Sequence, residues 1–283
     1  MTFPSRNLIS LDQLQAGFAS VAFGPEYEMA PVVPWALAAV AASEPSMQQQ
    51  MAPALLRRVR RIINYPTTDR IRNVVTELAY RPLVRERHLG SCYWSLGQAA
   101  LGIPGEIGQR ATRLADRFIG FQPHDGVTIA MMACGADALL KEDPSSLEAK
   151  TVLDRSAPRL LGPRQVAEWI WPLEALDPRD AVLAHAFIAA GECLDHCSMV
   201  RAGLQLLDWR LHRNGISGDR TAELATSVAA CTRAQTVTGV TEWTHRAQEL
   251  VESTTVPSTM SPGELCNWFL ALRHIAEFNA VVA

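Results

Sequence analysis

Apolar residues recur at three- and four-residue spacing along almost the whole chain. No stretch alternates strictly between apolar and polar and ends in a hairpin turn. A period near 3.6 puts apolar groups on one side of a helix, whereas a half-buried strand needs a period of 2, so an all-α fold is expected. Candidate helices fall near 10–22, 28–43, 47–64, 67–80, 87–101, 105–119, 125–142, 145–160, 163–171, 178–192, 195–213, 219–238, 241–253 and 261–280, with Pro or Gly between them. Ser145-x-x-Glu148 and Ser261-Pro262-Gly263-Glu264 read as capping boxes. Asp177-Pro178-Arg179-Asp180 reads as a third start, with Asp177 as N-cap and Asp180 beside the first-turn amides. His124-Asp125 precedes the helix at 125–142 in a capping position.

The 283 residues are 48% hydrophobic and 19% charged, enough to build a core and too apolar for a disordered chain. The longest apolar run, Val32–Ala42, is about half of what a membrane span needs, so no membrane partner is expected. The N-terminus carries no basic-then-apolar leader, and the six cysteines are scattered; a cytoplasmic protein is the expectation. The net charge is −3, and Lys141 and Lys150 are the only lysines. The densest basic stretch, LLRRVRR at 55–61, reads as a solvated helix face. With no aromatic residues interleaved, no nucleic-acid partner is expected. No linker or low-complexity tract divides the chain, which reads as one domain over 1–283.

Several constellations lack what their chemistry requires. Cys193, His196 and Cys197 resemble half of a zinc site, but a structural zinc brings a second pair of ligands and none follows. The spacing Gly102-x-x-Gly105-x-x-Gly108 has no preceding strand and reads as a turn between helices. No phosphate-binding loop, zincin motif or nucleophile elbow occurs, and neither metal nor cofactor is expected.

Three segments in order resemble a known family. They are Ser91-Cys92-Tyr93-Trp94-Ser95-Leu96-Gly97-Gln98-Ala99-Ala100, then Trp169-Ile170-Trp171 leading to Ala189-Ala190-Gly191-Glu192, then Gly203-Leu204-Gln205-Leu206-Leu207-Asp208-Trp209. Together with Thr221–Gly239 and Trp268-Phe269-Leu270-Ala271-Leu272 they are similar to the α/α-toroid domain that accompanies bacterial glycosyltransferases. That domain belongs to the six-hairpin glycosidase-like group. The resemblance covers roughly 86–275. It implies an α/α toroid, complete or with an incomplete ring, and a carbohydrate-active protein whose ring mouth is built from the segment after the paired tryptophans.

Against the family's W-P-W-F-E-D-x-x-x-Y-D-N-A pattern this chain reads WIWPLEALDPRDA, so only acidity at Glu174 and Asp180 survives. The resemblance then assigns Glu174 and Asp180 as the catalytic carboxylates, since sugar cleavage uses two such groups about 5 to 10 Å apart. Trp169 and Trp171 become sugar-stacking residues, and His185 a substrate-binding residue facing a cavity. Packing positions are kept while polar ones are lost. Two readings follow: a glycoside hydrolase or glycosyltransferase-associated protein acting on a glycan, or a non-catalytic helical scaffold that binds a protein or a glycan. In the second, Asp180 caps its helix and the ring interior is apolar.

Overall fold

The computed structural model describes residues 11–24, 31–64, 82–164, 169–213, 220–254 and 259–282. Among the described residues there are twelve α-helices and no strand. They are α1 (Leu11–Phe23), α2 (Val33–Ala41), α3 (Pro45–Asn64), α4 (Pro82–Gly102), α5 (Glu106–Ala115) and α6 (Gly126–Glu142), followed by α7 (Leu147–Ser156), α8 (Val182–Cys193), α9 (Cys197–Leu211), α10 (Arg220–Thr238), α11 (Glu242–Ser253) and α12 (Pro262–Val282). Short 3-10 turns at Asp116–Phe118 and Ala157–Arg159 end α5 and α7.

Three expectations are corrected, the first being that α8 begins at Val182 with Ala181 at its N-cap and not at Asp177. The stretch 163–171 is not helical at its described residues. The Arg164 amide donates to the Ile170 carbonyl at 2.8 Å, and the Trp169 indole donates to the Leu173 carbonyl at 2.8 Å. The cap of α7 is Ser146, whose hydroxyl accepts from the Ala149 amide at 3.2 Å; Ser145 instead bonds Asp143. The expected helix at 67–80 lies outside the described residues. The box at Ser261 forms as expected, with the Ser261 amide donating to Glu264 at 2.7 Å and the Glu264 amide to Ser261 Oγ at 3.3 Å. Asp125 caps α6 through the Thr128 amide at 2.9 Å.

The helices divide into two sets by how they are buried. The even-numbered helices pack in succession, α2 on α4, α4 on α6, α6 on α8, α8 on α10 and α10 on α12, and α12 packs back on α2. Of the odd-numbered helices, α3, α5, α7, α9 and α11 each lie against an even-numbered one, while α1 lies on α12 and α3. The sequence explains the division. All nine residues of α2 are buried, as is α6 from Gly126 to Leu139, so these helices are covered on every side. In contrast, α5 buries only Gly108, Ala111 and Ala115, one stripe at helical spacing, and α11 only Ala247 and Val251.

Small residues let the inner backbones meet. A Cβ on Gly97 of α4 would stand 2.5 Å from the Gly135 carbonyl oxygen of α6, closer than any side chain tolerates. The ends of α2 and α4 are joined by the buried Gln48. Its amide nitrogen lies 2.8 Å from the Ala41 carbonyl and 3.2 Å from that of Gly102, satisfying carbonyls that a helix end leaves without an internal donor.

Candidate functional site

The segment from Trp169 to Asp180 lies ahead of α8 and is held by its own side chains. Trp171 is fully buried and stacks on Trp209 of α9, with centroids 5.8 Å apart and planes at 14°. Trp169 meets the same ring edge-on at 5.2 Å, and the Arg213 guanidinium lies over Trp209 at 4.9 Å. Three tryptophans thus pin the segment to α9 through large apolar contacts.

Asp180 is also fully buried. Its Oδ2 accepts the Trp171 indole N–H at 3.2 Å and the Asp177 amide at 2.8 Å, while Asp177 Oδ1 accepts the Arg179 amide at 2.9 Å. Asp180 thus holds the Asp177 amide while Asp177 closes a turn on Arg179, both ahead of α8, whose N-cap Ala181 has no side-chain cap bond. The other oxygen of Asp180, Oδ1, has no hydrogen-bond partner, nor has the buried Arg210 Nε. Arg210 Nη2 lies 2.9 Å from Glu223, an ion pair without hydrogen-bond alignment. Burial pushes the Asp180 carboxyl up to about 6, and the Asp177 amide opposes this only in part.

Glu174 is exposed and has no hydrogen bond or ion pair among the described residues. The structure thus brings Trp169, Trp171 and Asp180 into one buried cluster and leaves Glu174 in solvent. Beside this cluster, Arg87 of α4 reaches Asp125 at 3.3 Å and Asp177 at 3.3 Å, joining the starts of α4, α6 and α8.

His185 lies elsewhere, one turn into α8, where every even-numbered helix contributes to a small internal cavity. Its lining includes Trp35 of α2, Trp94 of α4, Met131 of α6, His185 of α8, Thr226 of α10 and His274 of α12. The cavity holds about 20 Å³. That is room for one water-sized body, against the several hundred Å³ of an ordinary ligand pocket. Trp35 and Trp94 fill one side of it, with ring centroids 4.8 Å apart, and the Arg179 guanidinium lies 5.1 Å from the Trp35 centroid. Burial, reinforced by Arg233, lowers His185 to about 3, so its imidazole is neutral.

A second polar centre was not legible in the sequence. Asp137, late in the apolar α6, receives Arg233 of α10 at 2.7 Å, Lys141 at 3.0 Å and the Cys193 thiol at 3.1 Å. Arg233 also pairs with Glu192. Cys193 is consequently a hydrogen-bond donor, its thiol pushed up to about 12 mainly by burial. Cys193 ends α8 and Cys197 opens α9, with Asp195 between them at a φ of 55°. Among the described residues no three His, Cys, Asp or Glu side chains gather to hold a metal. The one available signal for Asp137 was a lone carboxylate in a run of apolar residues, which requires a buried partner.

A larger cleft of about 410 Å³ opens on the surface between Pro163, Arg164 and α9 residues Ser198, Arg201, Ala202 and Gln205. None of the residues nominated from the sequence lines it. Compared with known protein families, curated proteins and solved structures, the chain has no match in any of the three.

Proposed function

We propose that the helices form a single-domain α/α toroid of six hairpins, and that it is a non-catalytic scaffold, similar in core to glycosyltransferase-associated toroids, which binds a protein partner. The cyclic order in which the even-numbered helices pack, with α12 returning to α2, supports the toroid. So does the contrast between α2 and α6, covered on every side, and α5 and α11, buried along one stripe.

The observation that carries the non-catalytic reading is the occupied axis. Residues from all six even-numbered helices leave a cavity of about 20 Å³, too small for a sugar ring. A glycosidase needs two carboxylates facing each other across an open cleft. Here Asp180 spends Oδ2 on Trp171 and the Asp177 amide, and Glu174 stands in solvent. A reducing cytoplasm suits the six free thiols.

The test is a hydrolysis and transfer screen on a broad glycan panel, with Glu174→Gln beside the wild type. No turnover is expected from either. Turnover by the wild type that disappears in the Gln variant would overturn the scaffold reading and restore Glu174 to a mechanism.

A further inference from the structure

Two sets of arginines stand in contrast among the described residues. Arg87, Arg210, Arg233 and Arg246 each lie within 3.3 Å of a carboxylate. Arg57, Arg60, Arg110 and Arg113 have no hydrogen bond and no ion pair among the described residues, and they stand on neighbouring helices. Arg57, Arg60 and Arg61 are exposed on α3, whose opposite side buries Met51, Leu55, Leu56 and Val59. On α5 and the turn after it, Arg110, Arg113 and Arg117 follow at three- and four-residue spacing, which keeps them on one face.

The two stripes meet edge to edge. Helix α5 packs on α3, and Arg117 Nη1 donates to Asn64 Oδ1, the last residue of α3, at 2.9 Å. Counting Arg58, whose guanidinium turns away to the Gly24 carbonyl, these two helices and the turn carry seven arginines against Glu106 and Asp116. The chain as a whole is at −3, so this face is basic on a molecule that is elsewhere acidic. Like charges at i,i+3 and i,i+4 repel, and no carboxylate among the described residues offsets those of Arg57, Arg60, Arg110 and Arg113. The arrangement works against the stability of the isolated chain, and a counter-charged occupant would relieve it.

We propose that the arginine face of α3 and α5 is the docking surface for an acidic segment of a partner protein. The inference rests on the scaffold reading, whose partner it characterises. Charge complementarity carries it: a guanidinium fork accepts a carboxylate bidentately, and a basic patch on an acidic body steers an acidic partner to one side. Exposed apolar side chains flank the stripe, Leu101 before the start of α5 and Ile119 after its end, 42% and 41% exposed. Arginine beside isolated apolar contacts is the composition of a protein interface. A bilayer is the poorer fit because the apolar side of α3 is turned into the core, leaving no helix face to insert. A nucleic acid is the poorer fit because Phe118, the aromatic residue beside Arg117, is buried and offers no face for a base to stack on.

The experiment uses the full chain and a labelled synthetic helical peptide of about twenty residues that combines glutamates with leucines, read by fluorescence anisotropy at low and high salt. Three proteins are compared: wild type, Arg57→Glu/Arg60→Glu/Arg113→Glu, and Arg57→Lys/Arg60→Lys/Arg113→Lys. The glutamate triple is expected to bind at least about tenfold more weakly and the lysine triple within about threefold of wild type, with affinity falling as salt rises. The melting temperature of the glutamate triple should hold or rise, since repulsion is removed, so weakened binding is not lost folding. Equal affinity of wild type and glutamate triple overturns the proposal. So does tighter binding of wild type to phosphatidylglycerol vesicles or to a DNA duplex than to the peptide. A glycan-hydrolysis assay on the same samples separates the two failures: turnover brings down the scaffold reading, whereas charge-independent peptide binding without turnover brings down the docking surface alone.

Discussion

Asp137 and Asp180 are both buried aspartates on or beside the inner helices, 3% and 0% exposed, yet their surroundings differ in kind. Asp137 faces two cations and a thiol donor, and both of its oxygens are engaged. Asp180 has one oxygen bonded to an indole and an amide and the other without a hydrogen-bond partner. A buried carboxylate held by neutral donors gives up its charge more readily, as burial makes Asp180 do. The first fastens helices together. The second ties down a loop and titrates near neutrality.

The sharpest way to break this comparison is Asp137→Ala. Removing one partner of a buried pair leaves Arg233 short of its main counter-charge, and a loss of about 3–5 kcal/mol is expected. Thermal melting followed by circular dichroism reads it as a drop on the order of 10 °C; a drop of only a degree or two would make Asp137 dispensable.

Asp180→Asn sharpens the other half. The folded carboxyl, at about 6, lies above its ordinary value of 3.8, so the folded state holds the proton more tightly than the unfolded one. Its favourable contribution is complete below pH 4 and disappears as pH rises through 6. The stability of the variant relative to wild type should therefore increase from pH 4 to pH 7, by about 3 kcal/mol at most. Parallel stability curves would place the Asp180 charge elsewhere.

His185 has the opposite sign. Held near 3, below its ordinary 6.5, it contributes stability that is present above pH 6.5 and lost as pH falls toward 3. His185→Gln should flatten that acid-side loss in melts taken between pH 7 and pH 4, leaving the Asp180 dependence in place. The smallest effect belongs to Glu174→Gln, which should leave stability within about 0.5 kcal/mol of wild type because the side chain is exposed and has no hydrogen bond or ion pair among the described residues; a larger shift in denaturant midpoint would mean that Glu174 has a partner.

How much of this was legible in the sequence depended on the range of the interaction. Helices are set by local period and caps, so α6 with its Asp125 cap and α12 with its Ser261–Glu264 box appear where the spacing predicts them. The described residues of 163–171 failed the same test because Trp169, Ile170 and Trp171 have the apolar density of a helix, whereas Trp169 and Trp171 are held by Trp209, some forty residues away. Asp177 and Asp180 read as the start of a helix, but α8 begins at Val182 and Asp180 instead holds the Asp177 amide and the Trp171 indole ahead of it. The link between Asp137 and Arg233 spans 96 residues, and nothing local announces it. Trp35, Trp94 and His274 come to one axis only when three distant helices meet, which periodicity cannot foretell.

The return of α12 to α1 and α2 has a consequence for how the molecule comes into being. During synthesis α1 and α2 emerge with part of their apolar surface waiting for α12, so these contacts cannot form until α12 has left the ribosome. Until then Trp35 and Phe18 stay open to wrong partners. Helices so far apart in sequence come together slowly, because joining them costs chain entropy before any contact rewards it, and until then the apolar sides of α1 and α2 are the surfaces that remain uncovered.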